Sequence, residues 1–147
     1  VGIDPCEESW RLAKPRVRAV PFDVEFKAGS AENIPQEDES FDTGLLTSAL
    51  CTIPDPAAAI KEARRVLRPS GKLVFCEHGE APDANVAKWQ NRVNPIWKVL
   101  FGGCNLNRNI VDIIDSNGFR LDDVDQMYLP GTPRVAGFNI WGTARPD

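Results

Sequence analysis

The stretch from Ser40 to Glu80, SFDTGLLTSALCTIPDPAAAIKEARRVLRPSGKLVFCEHGE, limits what this chain can fold into more than any other part of it. A short apolar strand at Thr43–Thr47 leads into a polar, turn-rich segment. The pattern then predicts a helix that opens at Asp55-Pro56 and closes near Arg68. Asp55 can cap this helix, Pro56 suits its first position, and Arg64, Arg65 and Arg68 complement its negative end. Ile60, Ala63 and Leu67 share one face at helical spacing. Pro69-Ser70-Gly71 turns the chain into a second buried strand, Lys72–Cys76. Two apolar strands joined by a helix form a crossover unit, so they are expected to be parallel neighbours. In such sheets ligands bind beyond the carboxyl ends of the strands, here Thr47–Cys51 and Glu77–Glu80.

The flanking pattern extends this unit. Val1–Pro5 reads as the end of a buried strand stopped by Pro5, Glu7–Lys14 as a short helix limited by Pro15, and Val24–Ala28 as another strand. Gly29–Ser40 is polar and acidic, hence a loop. Trp89, Val93, Trp97 and Leu100 follow helical spacing, with a kink or a split expected at Pro95. Arg108–Asn117 predicts a further helix with Ile110, Ile113 and Ile114 inward and Gly118 as its stop. Arg120–Tyr128 and Ala136–Ala144 read as strands whose short connection makes them antiparallel.

Bulk properties exclude several classes. A chain of 147 residues is enough for one domain with a core. A net charge of −4 without a basic run argues against nucleic-acid binding. No apolar run approaches the roughly 18 residues of a membrane-spanning helix. The four cysteines, Cys6, Cys51, Cys76 and Cys104, are widely separated and form no CxxC pair, so they read as reduced thiols of a cytoplasmic protein. Cys76 is expected to be buried. One histidine with scattered cysteines makes a poor zinc site, so no metal is expected.

A parallel α/β sheet closed by an antiparallel hairpin resembles the class I S-adenosylmethionine (SAM)-dependent methyltransferases of type 11, UbiE-like. VGIDP resembles the second strand of that family with its terminal acid, GSAENIP followed by SFD its third-strand loop and fourth strand, and ARRVLRPSGKLVF the helix, turn and fifth strand. LCTIPD, FCEHGEA and WQNRVNPIWKVLFGGCNLNR further resemble the thiol S-methyltransferases. The resemblance implies one partial Rossmann-like domain over 1–147, with 82–117 covering the substrate, SAM as cofactor and a small-molecule acceptor. The glycine-rich loop of the family lies ahead of its second strand, and no such loop occurs here. The resemblance thus implies an additional N-terminal segment of about 40 to 80 residues carrying a strand and helix. Without that unit two strand edges are left open. They could pair directly, be met by a second copy in a homodimer, or be filled by the additional segment.

The same resemblance nominates residues. Asp4 would accept the ribose hydroxyls, as strand-end acids do in dinucleotide folds, or would cap the helix that follows. Pro5 would wall the adenine, and Ser30, Ala31 and Glu32 would read its edge, unless they form an ordinary polar loop. Thr47, Ser48 and Leu50 would line the methionine end. Cys51 sits where the methyl emerges, or is a small buried hydrophobe. His78 could take a proton from the acceptor, or hold the strand end by hydrogen bonding. Trp89, Trp97, Asn105 and Arg108 would face the substrate. Two other readings remain open: a truncated, self-associating module without catalysis, and a nicotinamide-dependent reductase.

Overall fold

A computed structural model describes residues 1–147. Strand β1 (Gly2–Asp4) leads into helix α1 (Glu7–Val17), then strand β2 (Phe26–Ala28). Strand β3 (Phe41–Thr47), helix α2 (Pro56–Val66) and strand β4 (Leu67–His78) form the central unit. Helices α3 (Ala84–Leu100) and α4 (Ile110–Asp115) follow, then strand β5 (Phe119–Tyr128), a helical turn α5 (Arg134–Gly137) and strand β6 (Phe138–Pro146).

The crossover forms as its residues dictate. Oδ1 of Asp55 accepts the Ala58 N–H at 3.0 Å, which satisfies one free amide at the start of α2. Ala59, Ile60, Ala63 and Val66 form its buried face. Strands β3 and β4 are parallel, with Thr47 opposite Cys76. Strand β6 runs antiparallel to both β4 and β5, giving the order β3-β4-β6-β5. Leu73, Phe75, Ile140 and Ala144 point from this sheet onto Ile60, Ala63, Ile110 and Ile114 of the two helices. Burying each large apolar side chain there contributes about 1.5–3 kcal/mol.

Several local expectations are corrected. Lys72–Cys76 is the middle of a longer strand, with an irregularity in the pairing between Phe41 and Thr43 where a turn at Pro69–Gly71 was expected. Helix α1 runs past Pro15 to Val17, with the loss of the one backbone bond that the Pro15 nitrogen cannot donate. Helix α3 is continuous through Pro95, whose ring lies on the exposed side. Cys76 is exposed, because only one face of the main sheet carries helices. On the open face Leu45 is 69% exposed.

Strands β1 and β2 form a separate parallel pair, with Asp4 opposite Ala28. They do not hydrogen-bond to β3. An apolar slot of about 450 Å³ separates β1 from β3, lined by Val1, Ile3, Ala31, Leu46, Val66 and Leu73 among others. The facing edges of β1 and β3 are therefore unpaired, and direct pairing across the slot, one of the three expected outcomes, does not occur.

Candidate active site

The slot is lined by the bodies of β1 and β3, and the strand tips follow directly after Ile3 and Leu46 of its lining. At the end of β1, Oδ1 of Asp4 accepts the Cys6 N–H at 2.7 Å, so the acid does cap the turn into α1, and no other hydrogen bond engages its carboxylate. Pro5 beside it is exposed. After β2, the Ser30 hydroxyl donates to the Glu32 carboxylate, and the Glu32 N–H donates back to Ser30 Oγ at 3.2 Å. Oε1 of Glu32 accepts the Asp55 N–H at 2.9 Å. These bonds, the Ser30 one foremost, hold the Glu32 carboxyl below its usual range. The side chains of Ser30 and Glu32 thus fasten their own loop to the start of α2. Ala31 lines the slot.

The tip of β3 turns sharply. Ser48 has φ 50°, a left-handed conformation uncommon outside glycine. Its N–H donates to the Cys76 carbonyl at 3.0 Å, and the Ala49 N–H to Oε1 of Glu77 at 2.8 Å. Thr47 and Ser48 stand exposed at this tip. Leu50 is 0% exposed and its side chain packs in the core, so it does not face a ligand at the strand tip, and its carbonyl accepts from Arg108. The left-handed turn carries the chain inward, which buries Leu50 and Cys51.

Beyond the tips lies a cluster of polarisable side chains. The ligating atoms of Cys51, His78 and Cys104 all fall within 4.8 Å of one another. Nε2 of His78 is 3.2 Å from Sγ of Cys104, and the Trp97 indole N–H donates to the same sulfur at 3.4 Å. Cys104 arrives there because Gly102 and Gly103, at φ 61° and 93°, reverse the chain after α3. Asn105 then clamps it: its backbone N–H and Nδ2 both donate to the Cys51 carbonyl, at 2.8 and 2.9 Å. Arg108 donates to the carbonyls of Leu50 and, at 2.6 Å, of Ile53.

Burial sets the charge states here. It pushes the Cys51 thiol up to about 11, so Cys51 is a neutral thiol at pH 7. Burial also pulls the His78 imidazole below its ordinary value, which keeps it uncharged at neutral pH. Glu77 is 0% exposed, and desolvation raises its carboxyl against the opposing pull of the Ala49, Leu50 and Cys51 amides. Its Oε2 has no hydrogen-bond partner.

The nominated residues therefore divide. Cys51 and His78 meet, as the strand-end argument requires. Trp97 joins them and stacks on Phe101 at 3.8 Å. Trp89 does not: it is 58% exposed, with only the Arg92 guanidinium over its ring. Asn105 and Arg108 bind backbone carbonyls and so position the wall of the site. The sequence placed Glu77 beside His78 at the strand end and Cys104 in the substrate-covering segment without giving either a role, and it passed over Gln90. Gln90 is 1% exposed and joins three backbone segments: Oε1 accepts the Ala81 N–H at 2.8 Å, and Nε2 donates to Gly79 and Val135 at 3.0 and 3.2 Å. A lone glutamine inside a helical apolar stripe was the available signal.

A split Rossmann-like sheet with an antiparallel end is the layout of a class I methyltransferase. Residues 1–75 match the family model described as "Methyltransferase domain". The chain is 32% identical over 119 residues to rat "Thiol S-methyltransferase TMT1B" (76% of this chain, 49% of the relative). It is 31% identical over 122 residues to human "Thiol S-methyltransferase TMT1A" (81% and 50%). A SAM-dependent methyltransferase structure from Methanosarcina mazei superposes with a TM-score of 0.75 at 23% identity, covering 99% of this chain and 80% of that one. This chain belongs to the class I SAM-dependent methyltransferase family. It spans about half the length of these curated relatives.

Proposed function

We propose that this chain forms the acceptor side and part of the nucleoside side of an enzyme that moves a methyl group from SAM to the sulfur of a small-molecule thiol. What supports the thiol is the likeness to thiol S-methyltransferases at 31–32% identity, carried past the end of the family match. The family match ends at residue 75, whereas the alignment with the rat thiol S-methyltransferase covers 119 residues and must extend into the segment that follows β4. That segment delivers Cys104, Trp97 and Asn105 to the site.

In this reading the free carboxylate oxygen of Asp4 accepts a ribose hydroxyl, and backbone groups of Ser30–Glu32 meet the adenine edge. Pro5 lies against the same base. Thr47 and Ser48 stand at the methionine end. The acceptor sulfur would approach past Cys51 and His78. SAM, when bound, would supply the electrophilic methyl, and Nε2 of His78 would take the proton that the acceptor thiol gives up. The sulfonium charge already makes the methyl electrophilic, so alignment and exclusion of water supply most of the rate. Cys51, neutral and buried, shapes the wall and is not the nucleophile.

The test is a matched acceptor series. A thiol, an alcohol and an amine on one carbon skeleton are offered with methyl-labelled SAM, and products are read by mass spectrometry. Transfer to the thiol alone is expected. Transfer to oxygen or nitrogen with the thiol untouched would reject the acceptor assignment. Calorimetry with SAM and NAD in parallel addresses the cofactor separately. SAM alone should bind, and Asp4→Asn, which keeps the cap acceptor but loses the anion, should weaken it about tenfold, about 1.4 kcal/mol. Heat from NAD and none from SAM would favour a reductase instead.

A further inference from the structure

We propose that Cys51, His78 and Cys104 form a binding site for one sulfur-preferring divalent cation of the zinc type, with a fourth coordination position open. The three ligating atoms lie within 4.8 Å of one another, and the Cys104–His78 pair is already at 3.2 Å. A tetrahedral zinc ion, with sulfur at about 2.3 Å and imidazole nitrogen at about 2.0 Å, sets its ligand atoms about 3.5 to 3.8 Å apart. Side-chain shifts of about an ångström or less close this cluster onto that geometry. Two thiols and an imidazole are the donor set such ions select over oxygen-seeking ones.

The three ligands come from distant parts of the sequence, yet their backbones are tied together. Asn105, next to Cys104, makes two hydrogen bonds to the carbonyl of Cys51. His78 is held in β4 by pairing with Asn139 of β6. The outer contacts suit ligating sulfurs: the Trp97 N–H points at Cys104, and Oγ1 of Thr52 is 3.4 Å from Sγ of Cys51. Glu77, next to His78 in the chain, is fully buried and its Oε2 has no hydrogen-bond partner. Arg108, the nearby positive group, is engaged by the Leu50 and Ile53 carbonyls. The separation of these residues along the chain argued against a metal; the fold removes that argument.

One consequence rests on the proposed methyl transfer: an ion on Nε2 of His78 withdraws the proton acceptor, so loading should slow methylation. Binding itself requires neither SAM nor acceptor, and its test is independent of both. The reduced, metal-free chain is titrated with Co²⁺ and its absorption recorded, then back-titrated with Zn²⁺. One equivalent of Co²⁺ should produce intense tetrahedral d–d bands and sulfur-to-cobalt charge transfer, both erased by one equivalent of Zn²⁺. Cys51→Ser and Cys104→Ser should each weaken binding at least tenfold and reduce the charge-transfer intensity. Cys6→Ser and Cys76→Ser should change neither. Weak octahedral bands alone in the unmodified chain would overturn the proposal without recourse to any variant. Charge transfer that survives the Cys51→Ser, Cys104→Ser double substitution would overturn it equally.

Discussion

Replacing Gln90 tests whether the wall behind His78 is held by one buried amide. Gln90→Met keeps the length of the side chain and removes every hydrogen bond. The Ala81 N–H and the Gly79 carbonyl then lose buried partners, and the Val135 carbonyl loses a longer, partly buried one. Each fully buried orphan costs about 1–3 kcal/mol. The greater apolarity of methionine offsets about 1 kcal/mol or more. The net loss should be about 2–4 kcal/mol, which at a urea m-value of about 1.5 kcal/mol/M moves the midpoint by roughly 1.3 to 2.7 M. Gln90→Glu supplies the second half of the test. When ionised it faces the Gly79 and Val135 carbonyls with an anion, so its folded-state pKa must lie above the unfolded value. Its stability deficit should therefore appear as pH rises through about 4.3 and shrink below it, where the protonated acid can again donate. Urea unfolding of both variants between pH 3 and pH 7 provides the measurement. A loss under about 0.5 kcal/mol for Gln90→Met, or a deficit in Gln90→Glu that ignores pH, would refute the reasoning.

Two further outcomes follow from the same contacts. Glu62 accepts the Ile34 N–H and two bonds from Arg65, and the Arg65 bonds foremost hold its carboxyl below the usual 4.5. A depressed carboxyl stabilises above the unfolded pKa, and that contribution disappears as pH falls through the folded value. Glu62→Gln should be less stable than the parent at neutral pH and converge with it below about pH 4; a gap of constant size in urea midpoints would contradict this. Gly79→Ala would place a Cβ 2.6 Å from the Arg108 carbonyl oxygen and 2.9 Å from Ile110 Cγ1. It should cost about 1–3 kcal/mol in thermal unfolding, and an unchanged melting temperature would show that the Arg108 segment yields freely.

The central crossover was legible because local signals agree there. Asp55-Pro56, the 3.6-residue apolar stripe and the flanking strands all specify one arrangement, and β3, α2 and β4 form as read. The hairpin of β5 and β6 was legible for the same reason. Pro15 misled, and of the two outcomes expected at Pro95 the split does not occur, because proline signals a local cost that packing elsewhere along a helix can outweigh. Cys76 misled because strand alternation identifies two faces but not which of them is covered. Leu50 misled because a position past a strand end reads as ligand-facing until the backbone turn is known. The left-handed Ser48 reverses that direction, and nothing in TSALC announces it.

The meeting of Cys51, His78 and Cys104 separates what the topology dictates from what it does not. The parallel pairing of β3 with β4 sets Thr47 opposite Cys76, so the residues that follow each strand must emerge side by side. That relation between Cys51 and His78 was derivable from a βαβ pattern alone. Cys104 obeys no such rule. It lies beyond a 17-residue helix whose exit depends on two left-handed glycines and on an asparagine that fastens the returning chain to the Cys51 carbonyl. A substitution at Asn105 should therefore separate Cys104 from the other two while leaving Cys51 and His78 together, since their adjacency is carried by the sheet and does not depend on the returning loop.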